Sequence, residues 1–367
     1  MTIMTQFSKL APKNKDLAKE NLVDYVNACN KVSAYSFAFT KSNLSPLSIP
    51  PAGYSDFVQQ FGHAKGNAME WSNSIIPNMI AIPQAIVDSN RIVQAKFNNI
   101  LSDLADLAKH PNDKDDLEDI KSNLESILTR AQGEYDSTVS LIGNFDSYSS
   151  TLESDYKILS DGLDKLNNAT ETDQAEVKRL TDEISALNDE INKLNQYLTA
   201  AEVGLGVSIF IAAVGIVVGV ATGGAGFILT AAGVVGIGGS IAGIVLANAQ
   251  IHADQKKIGE DTSKMNDYNK DLLVLNVETL SLKNLVQANQ DARQALVIVS
   301  NVWKDLCEGT KNLIDILHHA ESDVATNINQ ATDEIKQAQA DWNDIEKFAA
   351  LLVNVDYNFD PNVHQLG

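Results

Sequence analysis

The residues that could make or break bonds are few and badly spaced for it. The six histidines are His63, His110, His252, His318, His319 and His364. His318 and His319 are adjacent, so a helix would aim them at different faces, and they cannot chelate a metal as an i, i+4 pair would. There is no GxSxG elbow and no HExxH. The glycine run at 222–226 lacks the following lysine of a phosphate loop. The carboxylates are spread along charged helical stretches, where they read as solvated surface. Cys29 and Cys307 lie far apart in sequence and read as two buried thiols, with a disulfide between them left open. The types and spacings exclude an enzyme and imply no cofactor and no metal.

What the sequence offers instead is a partition chemistry. Val203 to Ile251 contains no charged residue, bounded by Glu202 on one side and by His252, Asp254, Lys256 and Lys257 on the other. More than half of the chain's 21 glycines fall in it and none of its 8 prolines. As helices, Val203–Ala221 would span roughly 28 Å and Phe227–Ala247 roughly 31 Å, against a hydrocarbon core of about 30 Å. Thr222-Gly223-Gly224-Ala225-Gly226 between them has the composition of a tight turn. The stretch therefore predicts a helical hairpin long enough to cross a membrane.

In that reading the lipid-facing residues of the first arm are Val203, Val207, Phe210, Ile211, Val214, Ile216, Val217, Val218 and Val220. Those of the second arm are Phe227, Ile228, Leu229, Val234, Val235, Ile237, Ile241, Ile244, Val245 and Leu246. Gly223, Gly224 and Gly226 form the turn. Gly215 with Gly219, and Gly239 with Gly243, are four apart and would let helices approach closely in lipid.

The elements that must carry such a hairpin are helical. Val177, Leu180, Ile184, Leu187, Ile191, Leu194 and Leu198 alternate steps of three and four, a coiled-coil seam. Beyond the apolar stretch, Ile251, Ile258, Met265 and Leu272 are each seven apart. These predict one antiparallel pair of long helices with the apolar stretch at its tip. Upstream, Leu22, Val26, Cys29 and Val32 mark a helix within 17–39. A second helical region covers 54–109, with Pro77 and Pro83 inside it, and ends at His110-Pro111. A third starts at a cap, Asn112 or Asp113, and runs toward Leu166. Downstream, 285–317 continues the returning helix, with an interruption expected near Glu308-Gly309-Thr310. A last helix covers roughly 322–353. Residues 1–16 read as a loose polar start. The fold class expected is all-α: an elongated bundle of long helices with a hydrophobic helical-hairpin head. The bundle would comprise 1–200 plus 252–367, and the head 201–251.

Net charge is −20. Nucleic acid wants a basic face, so it is excluded as a partner, and so is electrostatic binding to an anionic membrane surface. Membrane affinity would have to be hydrophobic. MTIMTQFSKLAPKNKD lacks the apolar core of a signal peptide, so release without a usual signal peptide is expected. A naked 49-residue apolar hairpin cannot stay in water. It must be tucked away in a soluble form and swung out in a membrane form.

This layout resembles the cytolysin A superfamily of α-helical pore-forming toxins, which includes haemolysin BL, the non-haemolytic enterotoxin and the Gram-negative tripartite toxins. The likeness rests on Val203–Ile251 and on the heptads at 177–198 and 251–272. It looks nearest to the B component of the tripartite toxins. The resemblance implies a secreted haemolysin component whose head opens into two spanning helices. The partners it implies are a target-cell lipid membrane, A- and C-type toxin subunits, and further copies in an oligomeric pore. Both arms are apolar nearly all round, interrupted by Ser208, Thr230, Ser240 and the end residues Asn248 and Gln250, so a partner would be needed to line a water-filled channel. The alternative is a constitutive membrane-anchored coiled-coil scaffold, which would need no soluble state.

Overall fold

The computed structural model describes residues 7–41, 53–111, 113–168, 174–203, four short strands between 210 and 236, parts of 253–265, 267–319 and 327–353. The helices are α1 (Lys15–Lys41), α2 (Tyr54–Leu107), α3 (Lys114–Asn168), α4 (Gln174–Val203), α5 (Asp267–His319) and α6 (Ile328–Val353). A 3-10 turn, Phe7–Leu10, precedes them. Helical backbone also occurs at 253–254, 256–258 and 260–261, before a turn and bend at 264–265.

Local chemistry sets the helix limits. Asn14 Oδ1 accepts from the backbone NH of Leu17 at 3.0 Å and caps α1. Asp113 Oδ1 accepts from the NH of Asp115 at 3.0 Å and caps α3; Asp115 and Asp116 then face the positive end of its dipole. Of the two caps expected there, Asp113 is the one used, and Asn112 lies outside the described residues. Gly133 and Gly143 do not break α3, which runs 55 residues. The interruption expected at Glu308-Gly309-Thr310 is absent, because α5 continues through it. A Cβ on Gly309 would sit 2.3 Å from the carbonyl oxygen of Lys9. That glycine serves a close approach, not a break.

The chain packs as two compact units. The first comprises Met1–Tyr25, Asn78–Gly143 and Arg293–Asn354. Its core holds Leu22, Val93, Phe97, Leu104, Ile120, Ile127, Leu296 and Ile335. Trp303 and Trp342 stack with ring centroids 5.3 Å apart. Residues 7–10, expected to be loose, are seated here instead. Phe7 and Leu10 are fully buried, and the Trp342 indole NH donates to the Leu10 carbonyl at 2.8 Å. The sequence signal for this was small, two apolar residues three apart in a polar run.

The second unit includes Val26–Pro77 and Asn144–Ala292. Trp71 meets Phe145 edge-on at 6.4 Å. A Cβ on Gly162 would come 2.9 Å from the Phe57 ring, so α2 and α3 pack closely there. The heptad residues Val177, Leu180, Ile184 and Leu187 of α4 are buried, as are Ile258 and Leu272 beyond the apolar stretch. Met265 falls in the bend rather than in a helix, so the returning heptad is not one continuous helix. The two cysteines are free and buried.

The body is all-α, as the periodicity predicts. The head departs from the expected helices. Its described backbone forms strands: β1 (Phe210–Ala212), β2 (Ile216–Val220), β3 (Phe227–Ala231) and β4 (Val234–Gly236). The reversal falls where the glycine run places it, but the arms pair as strands. The physical reason is composition. Each glycine inside a helix costs about 1 kcal/mol relative to alanine, and the arms are dense in glycine. Valine and isoleucine favour a pleated backbone.

Candidate membrane-inserting head

The head is built outward from the end of α4. β1 lies against α4 and pairs antiparallel with β4: Phe210 opposite Gly236, Ile211 opposite Val235, Ala212 opposite Val234. β2 pairs antiparallel with β3: Ile216 opposite Ala231, Val217 opposite Thr230, Val218 opposite Leu229, Gly219 opposite Ile228, Val220 opposite Phe227. The two ladders are nested. Residues 213–215 and 232–233, which separate them in sequence, lie outside the described residues. Each ladder has only two strands among the described residues. Among the described residues each strand therefore has a ladder partner on one side only.

Of the expected lipid-facing residues, Val203 ends α4. Phe210, Ile211, Ile216, Val217, Val218, Val220, Phe227, Ile228, Leu229, Val234 and Val235 lie in the strands, as does Gly219. Val207, Val214, Ile237, Ile241, Ile244, Val245 and Leu246 lie outside the described residues. So do Gly215, Gly223, Gly224, Gly226, Gly239 and Gly243. Among the described residues no helix is long and apolar enough to cross a membrane.

Below the head, a cluster of ion pairs joins the outgoing helix to the returning chain. Arg179 grips Glu176 with two nitrogens, Nε at 2.8 Å and Nη2 at 2.6 Å. Its Nη1 reaches Glu183 Oε1 at 2.6 Å and its Nη2 reaches Asp261 Oδ2 at 3.2 Å. Lys257 Nζ lies 3.7 Å from Glu183, and Lys264 Nζ lies 3.0 Å from the other oxygen of Asp261. The hydrogen bond from Lys264, with a further one from Arg179, holds the Asp261 carboxyl below its usual range against the opposing effect of burial. The Arg179 hydrogen bonds hold Glu176 down likewise. Sequence reading missed this cluster. Its signal was present: Glu176 and Glu183 are seven apart and flank the seam where interhelical charges act.

Elsewhere, burial raises the Asp103 carboxyl, with Asp119 and Asp116 adding to the shift. Burial also pushes the Cys307 thiol up, which keeps it unreactive. Among the described residues no group of three His, Cys, Asp or Glu is placed to hold a metal ion.

Residues 52–194 match the family model of the Bacillus haemolytic enterotoxin (HBL). No curated protein matches the sequence. Among solved structures, the HblL1 toxin component of Bacillus cereus is 19% identical with a TM-score of 0.69, covering 96% of this chain and 99% of that one. Soluble SmhA of the tripartite alpha-pore forming toxin Smh from Serratia marcescens is 16% identical with a TM-score of 0.70, covering 94% of each chain. Soluble AhlB of the tripartite toxin AHL from Aeromonas hydrophila is 18% identical with a TM-score of 0.62, covering 91% and 93%. These TM-scores and coverages show a shared fold along nearly the whole chain. With the match of residues 52–194 to the enterotoxin family model, they bear out the expected likeness in fold to these toxin components. The fold likeness extends to A-type and B-type components alike.

Proposed function

We propose that this chain is one component of a multi-protein α-pore-forming toxin, and that residues 203–251 leave a folded-back form to insert into the target membrane. The observation that carries the reading is a 49-residue stretch without a charge, in which residues 210–212, 216–220, 227–231 and 234–236 form short strand pairs beyond the end of α4.

That arrangement cannot enter hydrocarbon unchanged. A two-stranded ladder leaves its outer NH and C=O groups unpaired, and each such group costs several kcal/mol in lipid. A closed barrel or a helix satisfies them all. Two arms of the lengths given above would satisfy them as helices that span the bilayer. Insertion is therefore coupled to a strand-to-helix change, which lipid favours and water does not. The nearly uniform apolar character of both arms fits an outer, lipid-facing wall. A partner subunit with an amphipathic hairpin then lines the channel, as expected of a B-type component working with A- and C-type partners.

The test is to purify the chain without detergent and measure dye release from lipid vesicles, alone and with candidate partner proteins. Solubility alone, with release that rises sharply on adding partners, supports the reading. A chain that stays in the membrane fraction and releases no dye in any mixture favours an anchored scaffold instead.

A further inference from the structure

Proline stands twice inside α2, at Pro77 and Pro83, and the helix runs through both from Tyr54 to Leu107. A proline has no NH, so the carbonyl four residues earlier loses its helical donor. The ring also crowds that carbonyl and tilts it away from the helix axis. The two carbonyls affected belong to Asn73 and Met79. Asn73 and Pro77 are exposed, and there water serves as the donor. Met79 is 1% exposed and Pro83 is buried. A buried carbonyl left without a donor is costly.

The donor comes from another helix. The Tyr25 hydroxyl of α1 donates to the Met79 carbonyl at 3.1 Å, and the bond is buried. Tyr25 itself is fully buried. Three residues beyond Pro83, Ile86 shares a small apolar cavity with Ala18 and Leu22 of α1 and with the stacked Trp303 and Trp342. α1 thus lies along α2 both before and after the proline.

We propose that Tyr25 is a positioning residue that braces α2 at Pro83. Its hydroxyl replaces the donor that the proline removes, and through it α1 sets the path of α2 across the break. Phenylalanine would fill the same space and leave the carbonyl unmet. Pro77, on the exposed face, needs no such brace. The inference does not depend on the membrane reading.

The experiment is a double-mutant cycle on the full chain, read by denaturant unfolding. Tyr25→Phe should raise the unfolding equilibrium constant about tenfold. Pro83→Ala gives the Met79 carbonyl an NH from its own helix. In that background Tyr25→Phe should cost about threefold or less. In a Pro77→Ala background its cost should be the same as in wild type. Equal costs in all three backgrounds would overturn the proposal, because the hydroxyl would then act elsewhere. If Tyr25→Phe alone does not fold, the double variant with Pro83→Ala decides. Recovery of wild-type circular dichroism supports the brace, and no recovery refutes it. If Pro83→Ala does not fold, amide hydrogen exchange in Tyr25→Phe decides. Exchange that quickens at Ile80, Ala81, Ile82 and Gln84 more than at Leu104 supports the brace, and an equal change at both places refutes it.

Discussion

Arg179 on α4 holds Asp261, 82 positions later, at 3.2 Å across the base of the head. The same carboxylate is held by Lys264 through its other oxygen. The pair ties the chain that enters the head to the chain that leaves it.

Its pH dependence follows from the sign of the shifts. The Asp261 and Glu176 carboxyls are held below their unfolded values. Their contribution is therefore present above the unfolded pKa, about 4, and is lost only as pH falls through the lower folded value. Wild type and Asp261→Asn should differ in thermal midpoint by a constant small amount from pH 8 to pH 5 and converge below about pH 4. Thermal scans by circular dichroism check this. Convergence already at pH 6 would show that some other group titrates.

Asp103 should behave in the opposite sense. Burial and the neighbouring Asp119 and Asp116 raise its carboxyl in the folded chain. A raised carboxyl is a liability above its unfolded pKa, and the liability disappears as pH falls below that value. Asp103→Asn, which can keep the contact to Asn123, should raise the thermal midpoint at pH 7 and lose that advantage near pH 3. A variant less stable than wild type at pH 7 would contradict the assignment.

Leu180 sits at 0% exposure in the heptad seam. Leu180→Ala should cost about 2–5 kcal/mol in denaturant unfolding. Val139, 43% exposed on α3, should change stability by no more than about 0.5 kcal/mol as alanine. Equal costs at both positions would mean that the seam is not packed as described.

One substitution should carry opposite signs at two glycines. A Cβ at Gly133 meets nothing within 4 Å, so Gly133→Ala should stabilise by about 0.5–1 kcal/mol through helix propensity. At Gly309 the same Cβ meets the Lys9 carbonyl. Gly309→Ala should destabilise despite the same propensity gain. Denaturant midpoints of the two variants decide it.

In the proposed inserted form, Val217 and Val235 lie mid-arm. A lysine at either should cost about 3 kcal/mol of insertion and sharply lower dye release from vesicles, with the soluble helical content unchanged. Release equal to wild type would remove the inserting-hairpin proposal.

The body was legible because its signals are periodic. The seam at Val177, Leu180, Ile184 and Leu187 needs only the 3.5-residue repeat, and the cap at Asp113 only its own side chain. The reversal in the head was legible from its glycines. The strand pairing was not, since a run of Val, Ile, Gly and Ala of that length satisfies both a spanning helix and a buried strand, and the surroundings decide between them. The seat of Phe7 and Leu10 depends on Trp342 and Gly309, more than 290 positions away. No local pattern carries such a contact. Met265 keeps its heptad phase yet lies in a bend, a case of tertiary context overriding propensity.

The stacked indoles of Trp303 and Trp342 have an optical consequence. The chain has three tryptophans, Trp71 in one unit and this pair in the other, and none between 203 and 251. Intrinsic emission is therefore blind to the head. The pair, one of whose NH groups is bonded to the Leu10 carbonyl, will register any displacement of residues 7–10 as a change in near-ultraviolet dichroism and emission wavelength. A tryptophan placed at Phe227 would add a separate signal for the head, so that a change at residues 7–10 and a change in the head could be told apart in one recording.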